Sequence, residues 1–259
     1  MYKPVFTDIP SDITGRWDLM KKFIEQWHEV KFVNIPLSFD EIDLGIQVSD
    51  GIKRCLHFLM EIQFTQIVTL NKKRYSLANY IFHDMQLCFG YDKEFEALLL
   101  FKNKEYPARP IYWGIDKTDL MKDDPKLVVI SSSETVNTYI KRPYEDESIT
   151  LTEYFIKSLF CDAGKPKTKG FTVFIRNDDV SRTIEKLELI FTSKFDIPHA
   201  IIFEKNNAIA SLQSEARLND VSILWVCLFE KDTSFMKEIN EAFGQENVSW
   251  SDNCSRYKL

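Results

Sequence analysis

Apolar positions near the N-terminus recur in steps of three and four: Trp17, Met20, Phe23, Ile24 and Trp27, with Asp18, Lys21, Lys22 and Glu25 between them. That period matches an α-helix with one buried stripe, and predicts a helix beginning near Gly15. After a loop containing Pro36, Ile52, Cys55, Leu56, Leu59 and Met60 trace a second stripe, with Ser49 or Asp50 placed to cap it. The rhythm then shortens. Runs rich in β-branched and aromatic residues at 64–70, 86–91, 97–101, 111–115, 127–130 and 138–141 predict strands. Turn signals separate them, among them Asn103-Lys104, Pro107 with Pro110, and Asp123-Asp124-Pro125. The connections are too short for crossover helices, so the strands are expected to form an antiparallel meander. Thr150 and Glu153 then make a capping box ahead of Leu151, Phe155 and Leu159, which share one helix face.

From Asp162 to Gly170 the chain reads DAGKPKTKG, with no large apolar residue. This marks a linker at 163–170 between a first domain at 1–162 and a second at 171–259. In the second, 171–175 is a predicted strand. A helix capped by Asp178 or Asp179 follows, with Val180, Ile184, Leu187 and Phe191 on one side. Segments 200–203 and 208–212 form a hairpin around Asn206-Asn207. The apolar run 221–229 reads as a strand buried on both faces. The last helix starts at Asp232 and stops at Gly244, with a short strand expected at 248–250. The expected fold class is α+β: an N-terminal antiparallel sheet flanked by helices, plus a smaller C-terminal α+β domain.

Composition narrows the function. The chain has 259 residues, 39 Asp and Glu against 33 Lys and Arg, and a net charge of −6. An acidic surface repels a phosphate backbone, and the longest basic cluster, Lys72-Lys73-Arg74, lacks interleaved aromatics, so nucleic acid is not an expected partner. Cys55, Cys88, Cys161, Cys227 and Cys254 are odd in number and have no CxxC spacing, which points to thiols in a reducing compartment. The N-terminus lacks the pattern of a secretory signal, and no window approaches the roughly 18 apolar residues that span a bilayer. A cytoplasmic protein without membrane attachment is expected.

Candidate chemistry is sparse. Dinucleotide, P-loop, zinc-protease and nucleophile-elbow motifs do not occur, and His28, His57, His83 and His199 show no ligand spacing. Cys55 and His57 lie two apart on a helix and therefore point in different directions. Pairs such as His83 with Asp84, or Asp116 with Asp119, would need further ligands to hold a metal. No catalytic residue, cofactor or metal is expected. The alternative candidates are acidic turns. Asp123 and Asp124, with Glu145, Asp146 and Glu147, read as solvated loops or as the negative rim of a protein interface, and Tyr112 beside Trp113 as a candidate aromatic anchor.

The order of segments also resembles a known family. Residues 23–30 (FIEQWHEV), 39–42 (FDEI), 44–46 (LGI) and the helix from Ser49 resemble the opening of the SUKH superfamily, relatives of the yeast cell-wall-assembly regulator that include many bacterial immunity proteins. Residues 112–120 (YWGIDKTDL), 124–128 (DPKLV) and 151–155 (LTEYF) resemble its second half, and the likeness covers about residues 10–162. The resemblance implies a non-catalytic module that binds and neutralises a toxin domain, often a nuclease with a basic surface. A regulatory scaffold for cell-wall or signalling proteins is the second expectation. An enzyme with a site in the second domain or between the domains is the third.

Overall fold

The computed structural model describes residues 2–5, 10–35, 44–68, 72–82, 85–104, 110–132, 139–143, 149–161, 169–197, 200–214 and 221–252. The fold is α+β, with all sheet pairings antiparallel. The chain divides into two compact units. One, the five-strand unit, comprises Pro10–Lys21 and His28–Phe155; the other, the six-strand unit, comprises Met1–Ile9, Lys22–Trp27 and Ile156–Leu259. The sequence-based cut at 162 therefore misses two early segments that group with the C-terminal residues. Of the expected linker, 163–168 lies outside the described residues, and Lys169-Gly170 already opens a strand.

Helix α1 runs Ile13–His28, capped by Asp12, whose carboxylate accepts from the Gly15 N–H at 2.8 Å. Its stripe, Trp17, Met20, Phe23, Ile24 and Trp27, is buried throughout. Helix α2 is Asp50–Phe64, and Ser49 caps it by accepting from the Ile52 N–H at 3.2 Å. Strands β1 (Gln66–Val68) and β2 (Arg74–Ser76) form a small ribbon leading to the short helix α3 (Leu77–Ile81). The strand expected from Phe64 is corrected here. The helix carries on through Phe64, and Thr65 closes it by donating its N–H to the Glu61 carbonyl at 2.9 Å.

Five of the six expected strands form the meander, as β3 (Met85–Asp92), β4 (Ala97–Asn103), β5 (Tyr112–Asp116), β6 (Leu127–Ser132) and β7 (Tyr139–Pro143), paired in chain order, whereas the run expected at 64–70 gives β1 of the separate ribbon. Helix α4 spans Leu151–Cys161. The predicted capping box forms at its start: the Thr150 N–H donates to Glu153 Oε2 at 2.8 Å, and the Glu153 N–H to Thr150 Oγ1 at 3.4 Å. One face of the sheet is the core. Phe101 of β4 meets Phe82 and Phe155 with ring centroids 5.2 and 5.7 Å apart, and Trp17 packs on Phe58 and Phe155.

The six-strand unit contains β8 (Lys169–Arg176), α5 (Val180–Ile190), β9 (Ser193–Ile197), β10 (Ala200–Lys205), β11 (Ala208–Ser214), β12 (Val221–Leu228), α6 (Thr233–Phe243) and β13 (Trp250–Asp252). The sheet order is β13-β8-β12-β11-β10-β9. Leu187, Ile190, Phe235 and Ile239 of the helices pack on Phe171, Val173, Phe203, Leu224 and Val226 of the strands. The predicted hairpin has Lys205 opposite Ala208, with Asn207 in the left-handed region at φ 60°. Strand β9 is absent from the sequence reading. Its residues alternate Lys194 and Asp196 outward, and charged outward positions suit a sheet edge.

Candidate interaction face

Two of the acidic residues picked from sequence are tied into the framework of the five-strand unit. Ser49 reaches the loop after β5 twice, donating its N–H to the Leu120 carbonyl and its hydroxyl to the Lys122 carbonyl, both at 2.8 Å. Asp123 accepts from the Gly51 N–H at 3.2 Å, so its carboxylate sits at the start of α2. Asp124 does the same for α4. It accepts from the Thr152 N–H at 2.9 Å, the Thr152 hydroxyl at 2.6 Å and the Thr150 hydroxyl at 3.0 Å, and faces Arg16 at 3.4 Å. Carboxylates at two helix starts satisfy orphan N–H groups and complement both helix dipoles.

Asp124→Ala removes an acceptor from the fully buried Thr152 and from two further donors. The expected loss is about 2–3 kcal/mol of stability, with Asp124→Asn losing less, as read from urea-denaturation midpoints.

Tyr112 lies at the other end of β5. Register places it in one row with Lys102 of β4, Ile130 of β6 and Lys141 of β7, while Trp113 falls in the opposite row with Phe101 and Val129. Directly opposed residues share a face, so Tyr112 looks away from the core and Trp113 shares the core side with Phe101. Phe95, in the turn between β3 and β4, folds over this outer face. Its ring centre is 5.6 Å from Tyr112 and 4.6 Å from Tyr139. Lys102 extends over the Tyr112 ring, with Nζ 5.8 Å from its centre. Tyr139 remains 40% exposed and Tyr112 half-buried, whereas Ile130 in the same row is buried.

The charged rim of this face is internally matched. Lys141 pairs with Asp116 and also donates to the Phe95 carbonyl at 3.2 Å, which pins the turn that carries Phe95. Lys117 pairs with Glu96. Burial opposes ionisation of Asp116, but the Lys141 ammonium and the Thr118 N–H and O–H outweigh it and hold the carboxyl down at about 2. Burial pushes the Cys88 thiol up to about 11, with Lys102 pulling the other way. That keeps it protonated and a weak nucleophile. Burial, then the neighbouring Tyr139, Cys88 and Asp92, raises the Tyr112 phenol above its usual range.

Sequence reasoning missed Phe95, Tyr139 and Lys141 as members of this face. A signal was present for Phe95, an aromatic inside the polar turn Asp92-Lys93-Glu94-Phe95-Glu96. Glu145, Asp146 and Glu147 lie outside the described residues, as do His83, Asp84, His199 and the FDEI segment 39–42.

Cys55 is fully buried, and burial raises its thiol well above the usual range. His57 instead places Nδ1 3.5 Å from the buried Glu61, which also pairs with Lys21. A hollow of about 580 Å³ beside β3 is lined by Gln63, Asn79, Gln86, Leu87, Phe89 and Lys104, a set without a nucleophile and base together. Among the described residues, no group of three or more His, Cys, Asp and Glu side chains could hold a metal ion. None of the helices described there is long and apolar enough to cross a membrane. No protein-family model, curated protein or solved structure matches the chain at a significant level.

Proposed function

We propose that this chain is a non-catalytic protein-binding module of the SUKH type, and that its role is immunity: direct neutralisation of a toxin domain with a basic surface. The observation that carries the reading is the outward cluster of Phe95, Tyr112 and Tyr139 on the meander. Partly exposed aromatics held rigid by neighbours supply much of the energy of protein interfaces. Here Lys141 fixes the turn under Phe95, so the cluster loses little further freedom on binding. The net charge of −6 favours encounter with a basic partner, more through association rate than through affinity. The family-like segments quoted above support the same reading.

The test is co-expression with the toxin encoded beside the gene. The expected result is a purified complex and rescued growth, with Tyr139→Ala weakening binding by about 2 kcal/mol, roughly thirtyfold, while circular dichroism stays unchanged. No complex and no rescue would reject the immunity role. A complex indifferent to Tyr112→Ala and Tyr139→Ala would move the interface elsewhere.

A further inference from the structure

The six-strand unit holds a buried carboxylate in an unusual setting. Glu204 projects from β10, an inner strand of its sheet, and is 1% exposed. A buried carboxylate is costly unless hydrogen-bond donors meet it. Here residues 2–5 bring donors to it. Tyr2 donates its phenolic hydroxyl to Oε1, and the Val5 N–H lies 3.3 and 3.1 Å from the two carboxylate oxygens. The Tyr2 ring is fully buried, edge-on to Phe23 and Trp27 at centroid distances of 6.0 and 4.8 Å. Trp27 in turn packs on Phe229 at 5.7 Å.

The main chain of this segment is read as well. The Tyr2 N–H donates to Asn207 Oδ1 at 2.9 Å, and the Asn207 N–H returns a bond to the Tyr2 carbonyl at 3.1 Å. The Lys3 N–H donates to Gln26 Oε1 at 3.1 Å. Main-chain bonds that set register, together with one deep side-chain socket, are how proteins recognise extended peptides. Simple hydrophobic anchoring needs neither a carboxylate at the socket floor nor a paired asparagine at its mouth.

We propose that Phe23, Trp27, Glu204 and Asn207 form a tyrosine-reading peptide site, occupied in cis by residues 2–5. Its ligand class is an extended segment with an unmodified tyrosine three residues before a small aliphatic residue. Phenylalanine fills the socket but brings no donor to Glu204. Phosphotyrosine places a dianion against the carboxylate and is excluded.

A protease site introduced within 6–9 allows the folded full chain to be cut so that residues 1–5 can exchange. A fluorescent peptide with the sequence of residues 1–6 is then added in excess. The expected result is saturable uptake by the cut chain and none by the uncut chain. A Tyr2→Phe peptide should compete at least about tenfold more weakly, and a phosphotyrosine peptide should not compete. Absence of uptake by the cut chain would overturn the proposal and leave the segment as permanent packing. Equal competition by the phenylalanine peptide would overturn the claim that Glu204 reads the hydroxyl.

Discussion

Gly51→Ala is expected to destabilise the five-strand unit by about 3 kcal/mol, although alanine in a helix normally gains about 1 kcal/mol over glycine. The reversal comes from the close approach of another backbone. A Cβ at Gly51 would lie 2.1 Å from the Asp123 carbonyl oxygen and 2.7 Å from its carbonyl carbon and Cα. Relief requires the loop at 120–124 to retreat. That same loop accepts from the Ser49 N–H and hydroxyl and from the Gly51 N–H, and it carries the Asp124 carboxylate at the start of α4. Retreat would therefore loosen two helix starts together. The measurement is the urea midpoint against the unaltered chain. Gly90→Ala serves as the control, because nothing lies within 4 Å of a Cβ there. A midpoint at Gly51→Ala equal to or above the unaltered chain would refute the close approach.

The second large effect is at Tyr2. Tyr2→Ala removes a fully buried ring from Phe23 and Trp27 and takes the phenolic donor from Glu204, with an expected cost of about 4 kcal/mol to the six-strand unit. A pH dependence accompanies it. Burial, then the Glu204 carboxylate, holds the Tyr2 phenol far above its usual range. The unfolded chain ionises this phenol near pH 10 and the folded chain does not, so the unfolded state binds fewer protons above that pH. The stability Tyr2 contributes is therefore complete below about pH 10 and falls as pH rises further. Thermal unfolding from pH 8 to 12 should show a steeper alkaline loss in the unaltered chain than in Tyr2→Phe. Parallel curves would count against a buried phenol at this position.

The five longer helices and the meander were legible because their signals are local, whereas the five-residue α3 was not read. Stripes at 17–27 and 52–60 report a 3.6-residue period, and the Thr150–Glu153 box needs no partner beyond its own turn. Asn206-Asn207 likewise announced its hairpin, since asparagine tolerates the left-handed backbone seen at Asn207. Short elements were harder. Strand β9 has only Phe195 and Ile197 among Ser193, Lys194 and Asp196, and β2 is three residues long, so neither carries the run of β-branched and aromatic residues that marks a strand.

Asp123 and Asp124 show the same boundary in chemistry. An acidic pair in a turn reads as solvated charge, yet Thr152, Gly51 and Arg16, between 28 and 108 residues away, give these carboxylates partners. Glu204 is the stronger case: inside a strand it resembles any other charged position, and its partner Tyr2 lies 202 residues earlier. By itself the sequence determined the α+β class, the starts of α2, α4 and α6 and the order of the meander, because side-chain period and capping act within a few residues. Only the tertiary structure decided which charges are buried and which aromatics face outward. Those properties depend on what the rest of the chain places against each residue, and no local pattern encodes that.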